Sequence, residues 1–141
     1  MEKLKTIWQA VIVCMALLTA VACYAESVSL RWDAPTTNAD STPLTDLAGF
    51  KIYQGTASGV YGTSVDVGNI RCYIVTGLTV GITYYFAATA YNISANESDF
   101  SNEVSKLIAS GDVGNCDSTN LHMDWKKSRI KSGGGFNGGY Q

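Results

Sequence analysis

A chain of 141 residues is long enough for one ordinary domain and too short for two. Its formal net charge is −2 and only 16% of its residues are charged, which excludes the basic balance expected of a nucleic-acid binder. Glycine is frequent, and β-branched residues and tyrosine dominate the middle of the chain, which is the composition of β-structure.

Residues 1–25 read as an export signal. Met1 to Lys5 carries two lysines and one glutamate, and Ile7 to Ala22 is then interrupted only by Gln9 and Thr19. Sixteen residues make a signal-peptide apolar region and are short for a membrane span. Two processing routes fit. Cys23 and Ala25 supply the small residues of a signal-peptidase cut before Glu26. Alternatively, Ala20-Val21-Ala22-Cys23 resembles a bacterial lipobox and would make Cys23 a lipidated N-terminus. The Ala at the first lipobox position favours simple secretion, and both routes export the chain.

After the signal, short strands alternate with turn residues. Val28, Leu30 and Trp32 share one face of a strand from Ser27 to Asp33. Ala34 to Asp46 is a polar loop with two prolines. Phe50 and Ile52 turn one face of the next strand inward before a turn over Gly55 to Gly59. Tyr61 to Val67 reads as an edge strand, and Arg71 to Thr76 as the following strand, with Tyr73 and Val75 inward and Cys72 outward. In Gly77 to Asn92, Leu78, Gly81 and Tyr84 have the spacing of a tyrosine corner. Tyr84, Phe86, Ala88 and Ala90 then alternate with Thr83, Tyr85, Thr89 and Tyr91, one face buried and the other wet. A loop over Ile93 to Glu97 leads to a last strand, Asp99 to Ile108.

The remainder, 109–141, changes character. It holds seven of the fourteen glycines and ends in GGGFNGGYQ, so it reads as a largely disordered tail, at least from Ser132. Within it, Leu121 to Lys131 has the pattern of a short amphipathic helix. Of the four cysteines, Cys14 leaves with the signal and Cys23 leaves or is lipidated. Cys72 and Cys116 remain, and an exporting chain permits either a disulfide between them or two separate thiols.

The segments SVSLRWDAP, LAGFKIYQG, CYIVTGL, VGITYYFAATAYN and ESDFSNEVS, in this order and spacing, resemble a fibronectin type III domain over Glu26 to Ile108. The resemblance implies an all-β, immunoglobulin-like antiparallel sandwich with Trp32 as the core tryptophan, Tyr84 as the corner tyrosine and Leu78 beneath it. Phe86 joins this core by its parity with Tyr84. The family's first strand would precede Ser27, where this chain has its signal, so a cut before Glu26 would leave the sandwich without its first strand and beginning on an open edge. The tail, or a strand from another protein, could cover that edge. The simpler expectation is an edge left exposed and guarded by the charge of Arg31.

No catalytic, cofactor or metal constellation is present in the sequence. His122 is the sole histidine and has no ligand-spaced Cys or His. Asp112, Asn115 and Asp117 break the alternation of a calcium loop. There is no G-x-S-x-G and no glycine-rich phosphate loop. Asn92 and Asn96 begin glycosylation sequons, relevant only in a eukaryotic host. The expectation is a non-enzymatic exported module, an adhesion, interaction or spacer unit, that engages a protein or polysaccharide partner through its loops or an open edge. The outward tyrosines Tyr53, Tyr61, Tyr85 and Tyr91 are candidates for a ligand-facing sheet. The alternatives are a structural subunit assembled by β-strand exchange and an accessory module of an extracellular glycosidase system.

Overall fold

The computed structural model describes residues 25–117 and 121–125. Both processing routes, Cys14, Cys23 and the glycine-rich end lie outside these residues. Among the described residues, seven strands, β1 (Glu26–Trp32), β2 (Leu47–Gly55), β3 (Val65–Gly68), β4 (Cys72–Leu78), β5 (Thr83–Asn92), β6 (Val104–Leu107) and β7 (Leu121–Met123), form two sheets. One sheet has the order β4-β1-β7 and the other β3-β2-β5-β6. The chain is thus an all-β sandwich.

The alternation in the sequence sets which faces meet. Val28, Leu30 and Trp32 of β1 face Phe50 and Ile52 of β2 and Phe86, Ala88 and Ala90 of β5 across the core, with Val75 and Leu78 of β4 beside them. Tyr84 is only half-buried; its ring stacks on Phe86 and its hydroxyl accepts a long, 3.4 Å bond from the Thr79 N–H. The chain reaches this corner through Gly81 at φ 83°, a conformation that side chains bearing a Cβ rarely adopt.

The packed unit runs on past Ile108. Gly111 to Cys116 forms a strap across β1: the Ser27 N–H donates to the Asp112 carbonyl, and the Gly114 N–H donates to Ser27 Oγ. The Gly111 N–H reaches the Glu26 carboxylate. The strap passes so close that a Cβ on Gly114 would meet Val28 backbone and the Ile74 side chain at 2.8 Å. It ends at Cys116, which a disulfide joins to Cys72 on β4, and Arg31 Nη1 donates to the Cys116 carbonyl at 2.8 Å. The chain then returns as β7, parallel to β1, with Leu30, Arg31 and Trp32 opposite Leu121, His122 and Met123.

Three sequence expectations are corrected by this arrangement. Leu121–Met123 is a strand, where its spacing suggested the start of a helix. The edge of β1 is covered by the chain's own tail and is not left exposed. Arg31, expected to guard an open edge by its charge, fastens the strap. The physical reason is the same in each case: an unpaired strand beside a core tryptophan is costly, and an apolar segment is available to pair with it. Met123 is fully buried, and Trp125 is 6% exposed, packed on Phe50 at 5.4 Å and on Trp32 at 6.5 Å between ring centroids.

Candidate functional site

The outward face of β3-β2-β5-β6 is built by a short segment lying alongside β5. Past Asn92 the chain turns back, and Ser98 and Ser101 replace regular strand pairing. The Ser98 N–H donates to the Ala90 carbonyl while Ser98 Oγ accepts from the Ala90 N–H. Ser101 repeats both bonds with Ala88. Serine serves here because one short side chain supplies the acceptor that a strand carbonyl would otherwise provide. The segment closes over β5, so Thr89, expected on a wet face, is buried, as is Ala87. Only Val104–Leu107 of the expected Asp99-to-Ile108 strand is regular.

This segment turns Glu97, Phe100 and Glu103 onto the sheet. Glu97 accepts hydrogen bonds from Lys51 Nζ at 2.6 Å, from the Tyr53 hydroxyl at 2.7 Å and from Thr89 Oγ1. Glu103 accepts from Ser58 Oγ, the Gly59 N–H and the Tyr61 hydroxyl at 2.6–2.7 Å. The two tyrosines, each held at its hydroxyl end, lie against Phe100. Its ring is perpendicular to Tyr53 at 4.9 Å and tilted against Tyr61 at 5.2 Å. Phe100 nevertheless leaves 47% of its surface to solvent. On the same face the Tyr91 hydroxyl donates to Asp66, and Lys51 sits 5.8 Å from the Tyr91 ring centre.

The electrostatics hold both carboxylates in their charged form, Glu97 paired with Lys51. Burial pulls the Glu97 carboxyl upward, but hydrogen bonds from Lys51, Thr89 and Tyr53 outweigh it and hold the group below its ordinary value. Hydrogen bonds from Ser58, Tyr61 and Gly59 lower Glu103 likewise. Burial, then the bond to a carboxylate, raises both Tyr53 and Tyr61, so neither phenol is activated as a nucleophile. Among the described residues no group of three or more His, Cys, Asp or Glu side chains is placed to hold a metal. A groove at the open side between β3 and β4, lined by Ile52, Val65, Tyr73 and Val75, measures about 160 Å³, below the volume of a small-molecule pocket.

Of the residues marked from sequence, Trp32, Leu78 and Phe86 lie in the core, Tyr84 lies at its rim, and Cys72 meets Cys116. The structure brings Tyr53 and Tyr61 together, while Tyr85 and Tyr91 take no part in the ring cluster. The sequon residue Asn92 is an internal brace: its Nδ2 donates to Asp46, and its Oδ1 accepts from the Ser94 and Asn96 N–H groups. Asp112 pairs with Lys106, and Asn115 caps the Asp117 N–H, both within the strap and its following turn. Sequence reasoning missed Phe100, Glu97 and Glu103. The available signal was a lone aromatic residue inside the polar run Glu97 to Glu103.

No known family profile matches the chain, and no solved structure matches it. A Kelch domain-containing protein of Saccharolobus solfataricus is 37% identical over 75 residues. That stretch is 53% of this chain and 9% of the other, so the chain spans under a tenth of the length of this relative.

Proposed function

We propose that this chain is a non-enzymatic, exported module of the fibronectin type III type that binds a protein partner through the face centred on Phe100. The observation that carries the reading is the half-exposed Phe100 ring resting on two tyrosines whose hydroxyls are tied to Glu97 and Glu103. An aromatic anchor already fixed in place loses little conformational entropy on binding, which is the property of interface hot spots. A polysaccharide partner is the weaker alternative, because the carboxylates that would grip sugar hydroxyls are already engaged within the face.

The fibronectin type III assignment draws support from Trp32 at the centre of the core, from the corner at Gly81 and Tyr84, and from the place of β7. That strand pairs with β1 on the side away from β4. Export draws support from the apolar run of the first 25 residues and from a disulfide suited to an oxidising compartment.

Two experiments test the reading. The intact mass of the chain recovered from an expressing bacterium should begin at Glu26 in the exported fraction, or at lipidated Cys23 in the membrane fraction; a full-length cytoplasmic product would refute export. Immobilised wild type should retain a protein from the exported fraction of its host that Phe100→Ala loses by tenfold or more, with Ile93→Ser, in the exposed turn after β5, as control. Equal retention by Phe100→Ala, or retention of polysaccharide alone, would refute the protein-binding face.

A further inference from the structure

The slot along β1 is a complete strand-binding site, and its present occupant reveals what it takes. It receives an extended segment parallel to β1, with Met123 fully buried and Trp125 closing the core at 6% exposure. The occupant lies far along the chain from its slot and is joined to the sandwich through the strap. We propose that a second copy of this chain can supply the same segment in trans, and that the Cys72–Cys116 disulfide decides between the two occupants. This inference is independent of the Phe100 face.

The reasoning rests on reach. An extended chain spans at most about 3.4 Å per residue. With the disulfide closed, the last fixed point before β7 is Cys116, five positions from Leu121, so the strand can travel no more than about 17 Å. That distance suffices for its own β1 and confines it there. With the disulfide open, only hydrogen bonds to Glu26, Ser27 and Arg31 and the Lys106–Asp112 pair hold the strap. Once these yield, the fixed point retreats to Ile108, which is 1% exposed, accepts from the Gly81 N–H and donates to the Ile82 carbonyl. Thirteen positions then separate anchor and strand, a reach of about 44 Å, comparable with the width of a small domain. The same slot on a neighbouring copy comes within range, and reciprocal exchange gives a closed dimer.

Both cysteines are half-buried and hence open to a dithiol reductant. One thiolate of the dithiol attacks a sulfur of the Cys72–Cys116 bond, forming a mixed disulfide and releasing the other cysteine. The second dithiol sulfur then displaces the first cysteine. Two cysteine thiols and one oxidised, cyclic dithiol result, with two electrons and two protons transferred. Reoxidation after exchange by a small-molecule disulfide such as oxidised glutathione, which takes up the two electrons and two protons and leaves as two thiols, would join Cys72 of one copy to Cys116 of the other and make the exchange covalent.

The test mixes isotopically heavy and light full-length chains, reduces them with dithiothreitol and then reoxidises them. Protein is held near millimolar concentration, because a tethered segment competes at roughly that effective concentration. A dimer containing heavy–light Cys72–Cys116 peptides, and abolished by Leu121→Asp, is the expected result. Amide protection of β1, β2 and β5 should persist in the reduced sample. A mixture that stays monomeric with only same-copy Cys72–Cys116 peptides would overturn the proposal. So would heavy–light peptides that survive Leu121→Asp unchanged, since cross-linking would then not depend on strand exchange. Loss of protection throughout the sandwich on reduction would also overturn it, since the disulfide would then maintain the fold and not select an occupant.

Discussion

Trp32, Phe50 and Trp125 meet at one end of the sandwich, with the Arg71 guanidinium 4.8 Å from the Phe50 ring centre. Trp32→Ala should therefore cost on the order of 3–5 kcal/mol, because a large buried ring leaves a void its neighbours cannot fill. A chemical-denaturation midpoint close to wild type would contradict this packing. Glu97 contributes to the acid limit. Its folded-state value lies below the ordinary 4.5, so it contributes stability above about pH 4.5 that is lost as pH falls through the folded value. The melting temperature should decline in that window, and Glu97→Gln should flatten the decline. The tyrosines act at the other limit. Burial and their carboxylate partners keep Tyr53 and Tyr61 protonated when unfolded tyrosines ionise near pH 10, so stability should fall as pH rises above about 10. The inward parity of Trp32 and Phe86 was legible because alternation in a strand is local. The roles of Glu97 and Glu103 were not, since they depend on Lys51, Tyr53, Ser58 and Tyr61, each more than forty positions away in sequence.

The strap and β7 are the elements with the least local signal and the largest consequence. The disulfide closes a separation of 44 residues, and by the chain-entropy account its removal through Cys116→Ser should cost about 4 kcal/mol. Gly114→Ala probes the strap without touching the sulfur chemistry. Its Cβ would meet Val28 and Ser29 backbone, which cannot rotate away, so the strap must lift. The expected loss is about 1–3 kcal/mol, with faster amide exchange at Ser27. Unchanged exchange there would show that the strap does not press on β1. The sequence of Leu121 to Trp125 fits a helical stripe as well as a strand, because five residues are too few to separate a period of two from one of 3.6. The slot beside β1 made the choice.

A sandwich whose outermost strand comes from its own tail behaves as one cooperative unit only while that strand is present. Truncation after Asp117 should leave Trp32 and Phe50 partly uncovered and β1 unpaired, giving an aggregation-prone chain with a broadened thermal transition. A sharp, reversible melt of the truncated chain would show that β7 is dispensable. By itself the sequence determined the β-class, the inward residues of β1, β2 and β5, and the corner at Gly81. These follow from side-chain alternation and backbone sterics within a few residues. Tertiary structure alone decided the strap, the seventh strand and the aromatic face. Those features answer to unpaired backbone and uncovered apolar surface, demands that exist only once distant strands have been brought together.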